Sequence, residues 1–194
     1  VDEDRFRALV LQQRETARAS RKNAGADAWA GDSDVLDDIA KTEFVGYTGM
    51  KTTAKVTAIV KDGARVEAVE TGDDIVFTLD RTSFYAESGG QVGDTGVITN
   101  DSCTIRVLDT TKNAAGVFIH KAVVEEGFLR EGDTVEAVVD VERRRAIMRN
   151  HTAAHLLQAA LRSVLGDHVE QAGQLVNENA VRFDFTHFSA LTDE

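Results

Sequence analysis

Apolar residues recur every three to four positions between residues 3 and 24. This spacing is typical of an amphipathic helix whose apolar side chains share one face. Gly25 suits the end of such a helix, and Asp32 or Ser33 suits the N-cap of a short second helix that follows. The apolar face of the first predicted helix consists of Phe6, Leu9, Val10, Ala17 and Ala24.

Between residues 44 and 141 the pattern changes to alternation of apolar and polar positions, which is typical of strands with one buried face. Segments "AKVTAIV" and "RVEAV" flank the turn at Asp62 and Gly63, a strong hairpin signal. "DIVFTL", "GVIT", "CTIRVL", "GVFIHKAVV" and "DTVEAVVDV" follow. Some seven short strands with glycine, aspartate and asparagine turns predict a small antiparallel barrel or closed sandwich. The turn should be exposed, and the positions expected to be mostly buried are Val56, Ile75, Phe77 and Val139.

Helical spacing returns near Asp140 and continues to Gly166, after which "GQLVNENAVRFDF" predicts two strands around residues 177–180. The sequence therefore predicts an α+β fold in three parts. Residues 1–42 form a helical segment, residues 43–141 a small β-barrel, and residues 142–194 the start of an α/β domain. Because a lone hairpin makes an incomplete sheet, we expect that last domain to be truncated.

Composition narrows the class of protein. Of 194 residues, 42% are apolar and 28% charged, a globular balance without an apolar run long enough to span a membrane. The net charge of −11 argues against general nucleic-acid binding, including DNA binding. Positive charge is nevertheless concentrated in "RRRAIMR" at 143–149, so any RNA contact should be local. The single Cys103 and the absence of a secretory leader before Val1 favour the cytoplasm.

The segment "HTAAH" places two histidines four residues apart on the predicted helix. This spacing brings the imidazoles of His151 and His155 to one face, close enough to bind one metal ion. Thr152 stands where a zinc peptidase of the HExxH type needs a glutamate. Cys103 lies in a strand and is expected to be buried, and the other histidines lack partners at ligand spacing. From the residues alone, the pair fits either half of a metal site or two ordinary histidines.

A second distinctive segment is "FYAESGGQVGDTG" at residues 84–96. It is not a Walker loop, because no Gly-Lys-Ser/Thr follows, and it does not open a helix as a dinucleotide-binding fingerprint would. Its spacing also fits a tight loop between barrel strands.

These segments together resemble the alanyl-tRNA synthetases. The resemblance rests on "FRALVLQQRETARA", "FYAESGGQVGDTG", "RNHTAAHLLQAALRSVLGDHVEQAG" and "VRFDFTH" in this order. It implies the end of a tRNA-recognition region, a β-barrel, and the first part of an editing domain that hydrolyses tRNA mischarged with serine or glycine. Ligation of alanine to tRNA with ATP and Mg²⁺ would belong to a part of the enzyme upstream of this chain.

The resemblance implies roles for particular residues. His151 and His155 match two zinc ligands of the family, whose other ligands, a cysteine and a histidine, would lie beyond Glu194. Gln171 matches a glutamine beside the editing pocket, and Thr152 a threonine that could help to reject alanine. Two positions depart from the family: the family often has threonine where Ala154 stands, and serine where Gln174 stands. The residues expected to contact the acceptor end of the tRNA are Arg143, Arg144, Arg145 and Arg149.

Other interpretations stay open at this point. A free-standing editing hydrolase shares the glycine-rich segment and the histidine pair but begins near the barrel. A threonyl-tRNA synthetase editing domain shares only the histidine pair. A non-catalytic barrel that docks the tRNA acceptor arm is the alternative of a different class.

Overall fold

The computed structural model describes residues 34–36 and 38–191. The helix predicted over residues 3–24 and the proposed caps at residues 32 and 33 lie outside this range. The second helix is reduced to a single 3₁₀ turn at Asp34–Leu36. Leu36 packs there against Ala58, Val60 and Val76, so the turn covers one outer face of the barrel.

The described part of the chain contains twelve strands and one α-helix. The strands of the first two-thirds are β1 Glu43–Phe44, β2 Lys51–Lys61, β3 Ala64–Arg65, β4 Ala68–Glu70, β5 Asp74–Leu79, β6 Arg81–Thr82, β7 Gly96–Asn100, β8 Cys103–Lys112, β9 Phe118–Arg130 and β10 Thr134–Val139. The remaining elements are α1 Val141–Leu165, β11 Gln171–Val176 and β12 Val181–Phe185. Within these described residues, no helix is long and apolar enough to cross a membrane.

Six strands close into an antiparallel barrel. Their order is β10-β7-β8-β9-β5-β2, and a further antiparallel pairing between β2 and β10 joins the two ends. This closure removes the free edges that an open sheet would leave. The predicted α+β fold with a small barrel is therefore confirmed.

The hairpin between β2 and β3 has the predicted turn. Asp62 and Gly63 both have positive φ, 51° and 75°, as a two-residue hairpin turn requires, and both are exposed. The prediction of one strand over 65–69 was wrong, because this segment changes partners. β3 pairs with β2, whereas β4 pairs with β9, and residues 66 and 67 separate them.

The barrel interior is an apolar core in which all four predicted positions are buried. Val56, Ile75, Phe77 and Val139 are at most 2% exposed. Cys103 belongs to the same cluster, and burial raises the pKa of its thiol, as expected for a small buried hydrophobe.

Helix α1 leaves the barrel directly from β10. The predicted strand ran to Val141, but β10 ends at Val139 because Asp140 caps the helix: its carboxylate accepts a hydrogen bond from the Arg143 N–H at 3.0 Å. The helix ends at Gly166, with φ 114°. The hairpin of β11 and β12 forms around residues 177–180 as predicted.

His120 lies within the barrel and is fully buried. Its ring stacks on Phe77 at 5.1 Å and meets Phe84 edge-on at 5.5 Å, measured between ring centroids. Its Nδ1 lies 3.3 Å from the carbonyl of Phe77 and donates to it, so Nε2 accepts from the Thr82 hydroxyl at 3.0 Å. Burial lowers the pKa of His120 to about 4.

This burial predicts a loss of stability in mild acid. The unfolded chain takes up a proton at His120 near pH 6.5, whereas the folded chain resists it until about pH 4. The free energy of unfolding should therefore fall between these two values by about 3 kcal/mol, at about 1.4 kcal/mol per pH unit. Denaturant titrations across that range measure this fall. His120→Gln should lack this component, and equal pH dependence in both proteins would contradict the prediction.

Candidate functional site

The two histidines of "HTAAH" lie side by side on α1, as their spacing predicts. The ring centroids of His151 and His155 are 5.0 Å apart, and their planes differ by 14°. His151 is partly buried and His155 is exposed. Both imidazoles therefore lie on one face of the helix, where they could share a ligand.

Gln91 of the glycine-rich loop (residues 84–96) reaches this face. Its side chain is 5% exposed, and its Oε1 lies 2.5 Å from Nδ1 of His151. Helix and loop are thus joined at the ring itself, across sixty residues of chain.

The loop is also hydrogen-bonded to the hairpin. The N–H of Val92 donates to the carbonyl of Val176 at 3.1 Å, and the N–H of Val176 donates to the carbonyl of Gly90 at 2.7 Å. Gly90 has φ 81°, and a Cβ there would collide with the backbone and side chain of Gln174. Glycine is needed here for both the left-handed backbone and the close approach.

A buried ion pair connects the loop to the first turn of α1. Asp94 is fully buried, and Arg144 is 5% exposed. The carboxylate oxygen that accepts from Arg144 also accepts from the N–H of Tyr85 at 2.7 Å, and the Arg144 guanidinium lies over the Tyr85 ring. Burial raises the pKa of Asp94, and these two donors act against the rise.

The four arginines of "RRRAIMR" do not share one environment. Arg143 donates to the carbonyl of Gly93 at 2.8 Å and pairs with Glu178 at 3.3 Å. Arg144 is buried in its ion pair, whereas Arg145 and Arg149 are exposed and, among the described residues, have no ion pair. A role of any of the four in tRNA binding stays a prediction, but only the exposed two offer unpaired charge.

Comparison with known proteins identifies the family. A family model described as tRNA synthetases class II (A) matches residues 1–143, which include the barrel strands and the glycine-rich loop. The chain belongs to this family.

Alanine–tRNA ligases align with the chain from end to end. The proteins from Acetivibrio thermocellus and Caulobacter vibrioides are 48% identical to it, over 195 and 198 residues, and the protein from Bacillus velezensis is 42% identical over 194 residues. Each alignment covers 100% of this chain and 22% of the relative. The resemblance to alanyl-tRNA synthetases is therefore confirmed, and the chain spans less than a quarter of those proteins.

The two residues that the resemblance places at an editing pocket are exposed in this synthetase-family chain. The Thr152 hydroxyl donates to the carbonyl of Met148 at 3.0 Å, and Gln171 opens strand β11. Within residues 38–191, no hydrogen bond joins either of them to the histidine pair. Their part in catalysis stays a prediction.

Ala154 and Gln174, the two residues that depart from the synthetase pattern, both make structural contacts. Ala154 is buried in one apolar cluster with Ile147 and Val176, which joins α1 to the hairpin. The Gln174 side-chain amide donates to the carbonyl of Gly89 at 2.5 Å. At this position the chain therefore holds the loop rather than presenting a hydroxyl group.

A second histidine pair was not expected from the sequence. Nε2 of His168 lies 2.9 Å from Nδ1 of His187, and the ring of Phe188 stacks on His168. The antiparallel pairing of β11 with β12 brings the flanks of the hairpin together. The predicted hairpin was the available signal, since its pairing brings the segments that flank β11 and β12 together, but the register shift between Gln171 and Gly173 hid which residues would meet.

The described residues do not contain a complete set of metal ligands. Among them, no group of three or more His, Cys, Asp or Glu side chains could hold a metal ion. Catalytic zinc takes three protein ligands and structural zinc four, so His151 and His155 fit as part of such a set.

The buried ion pair predicts strong coupling between loop and helix. Arg144→Met leaves the Asp94 carboxylate buried without its counter-charge and should lower the free energy of unfolding by about 3–5 kcal/mol. Adding Asp94→Leu should recover much of that loss, because no unpaired charge then remains. Denaturant titration measures both.

Arg145→Met is the matched control for this prediction. Arg145 is the exposed neighbour on the same helix, so its change should be within about 0.5 kcal/mol. Equal effects at positions 144 and 145, or additive effects in the double variant, would contradict a coupled buried pair.

Proposed function

We propose that this chain is a region of an alanine–tRNA ligase, which joins alanine to its tRNA using ATP and Mg²⁺, and that it carries part of the editing module. The observation that supports the first statement is the end-to-end similarity to alanine–tRNA ligases at 42–48% identity. Synthesis belongs to other parts of the enzyme. In this proposal residues 1–42 close the tRNA-recognition region, residues 43–141 form the barrel, and residues 142–194 begin the editing domain.

The histidine pair supports the editing assignment. Two parallel imidazoles on one helix face, one of them hydrogen-bonded by Gln91, suit two zinc ligands whose remaining partners lie outside the described residues. When bound, zinc would polarise the ester carbonyl or supply hydroxide near neutral pH. The substrate is the ester bond at the acceptor end of alanine tRNA carrying serine or glycine.

The residues of this chain would orient the site and its substrate. Arg143 and Arg144 hold the first turn of α1 against the glycine-rich loop, so the histidines two turns later have a fixed place. Gln171 and Thr152 are proposed to line the pocket, with Thr152 helping to reject alanine. The enzyme would act in the cytoplasm.

The range of the family match distinguishes this proposal from a free-standing editing hydrolase. It includes residues 1–42, which precede the barrel. A free-standing editing hydrolase would begin near residue 43. Against a non-catalytic acceptor-binding barrel stand the alignments to alanine–tRNA ligases, which continue through the histidine helix to the end of the chain. The extended match therefore favours a synthetase.

The exposed arginines predict how tRNA binding depends on salt. In a ligase that contains this chain, Arg145→Ala combined with Arg149→Ala should weaken tRNA binding, because phosphate contacts are lost. The slope of log K against log salt concentration should become shallower by about 1 per lost contact. Binding titrations at several salt concentrations measure that slope.

Arg106→Ala provides the control. Arg106 is exposed on strand β8 of the barrel, and its charge is paired with Glu125 at 2.8 Å. It should leave the salt slope as it was. An unchanged slope in the double variant would show that these arginines do not contact tRNA.

A further prediction concerns zinc and hydrolysis. Because the described residues supply two imidazoles, the 194-residue chain should retain no stoichiometric zinc after dialysis and should not deacylate seryl-tRNA specific for alanine. The whole ligase should retain zinc after dialysis and should deacylate this substrate. His151→Ala should abolish its deacylation. Metal analysis and a deacylation assay measure these outcomes. One zinc per chain after dialysis, with turnover that depends on His151, would show that the chain is complete in itself.

A further inference from the structure

We propose that Gln91 is a positioning residue that selects the tautomer of His151 and so directs its Nε2 towards the ligand site. The inference that this tautomer serves metal binding rests on the proposed function. Its chemistry rests on one contact, the 2.5 Å approach of Gln91 Oε1 to His151 Nδ1.

The nature of the two atoms decides which ring nitrogen carries the proton. An amide oxygen has only lone pairs and accepts hydrogen bonds, so the Nδ1 facing it must carry the hydrogen. In a neutral imidazole the other nitrogen, Nε2, is then the lone-pair donor. Histidines that bind metals usually donate their second N–H to a carbonyl, carboxylate or water in this way.

The fold places Gln91 before any metal is bound. Its N–H donates to the carbonyl of Ser88 at 3.0 Å, and its carbonyl accepts from the N–H of Ser88 at 3.1 Å. The following residue, Val92, is tied to the hairpin, and the Gln91 side chain is buried. The amide oxygen is thus aimed at the helix by backbone contacts on both sides.

His155 lacks such support. Among the described residues, no hydrogen bond reaches either of its ring nitrogens, and the ring is exposed. The two histidines should therefore differ in tautomer although they share one helix face. That difference gives an internal control within one molecule.

The test is nitrogen-15 NMR of the metal-free 194-residue chain at a pH where both imidazoles are neutral. Long-range proton–nitrogen correlations should show His151 with Nδ1 protonated, and His155 as a mixture of tautomers. Gln91→Met removes the acceptor, so the His151 signals should move to a mixture. Gln91→Glu restores an acceptor oxygen and should return His151 to the Nδ1–H form.

Gln174→Met separates positioning from a general loosening of the loop. Gln174 holds the same loop through the carbonyl of Gly89, and among the described residues it makes no hydrogen bond to His151. This variant should leave the His151 tautomer unchanged. A thermal unfolding curve for each variant confirms that the fold is retained.

Affinity for zinc alone gives a second readout. Loss of a hydrogen bond that orients a ligand typically weakens metal binding about 10-fold to 100-fold. Titration of the chain with zinc should show a loss of about 10-fold for Gln91→Met, and little change for Gln91→Glu or Gln174→Met.

Three results would overturn the proposal: His151 with Nε2 protonated in the unaltered chain, no tautomer change in Gln91→Met, or the same change in Gln174→Met. Failure of deacylation by the whole ligase would overturn the proposed function instead and leave the tautomer result standing. Conversely, active editing with an unselected His151 tautomer would remove only the role of Gln91.

Discussion

The buried ion pair between Asp94 and Arg144 is the contact on which the arrangement of the barrel, loop and helix depends. Two charges removed from water are tolerated only when each is paired and hydrogen-bonded. Here the carboxylate receives the guanidinium and the Tyr85 N–H, and the guanidinium also lies over the Tyr85 ring. The second carboxylate oxygen has no donor among the described residues, which agrees with the raised pKa of Asp94. The pair holds the start of α1 against the loop through the other carboxylate oxygen.

The glycine-rich loop can connect the barrel to the helix and hairpin because its backbone comes close to two other elements. At Gly90 a Cβ would meet Gln174 of the hairpin, and at Gly93 it would meet Asp109 and Thr110 of the barrel. With these positions open, backbone groups can bond directly to the hairpin and to Arg143. The motif therefore joins the barrel to the helix and hairpin, a role that its letters alone did not distinguish from a plain turn.

Local patterns were sufficient to predict most of the elements but few of the contacts between them. Alternation gave the barrel strands, and the helical spacing with its end at Gly166 gave α1, because both depend on neighbouring residues. The division into β3 and β4 arises because the two segments pair with different strands. Neighbouring residues in the sequence do not indicate which strand each segment will pair with. The parallel pairing of Glu43 and Phe44 with residues 81 and 82 was missed for the same reason.

The candidate site shows the same division. The proximity of His151 and His155 follows from helical geometry, whereas the approach of Gln91 depends on the loop folding back over sixty residues of chain.

The arginines show this difference between local pattern and tertiary contact most clearly. In the sequence "RRRAIMR" all four are equivalent cations, yet the fold uses Arg143 and Arg144 to hold the loop and leaves Arg145 and Arg149 exposed. In a chain with a net charge of −11, any attraction to RNA would have to come from such local groups. The same helix therefore separates two tasks along its length: its first turn stabilises the junction, and the residues just beyond it offer charge next to the histidine pair.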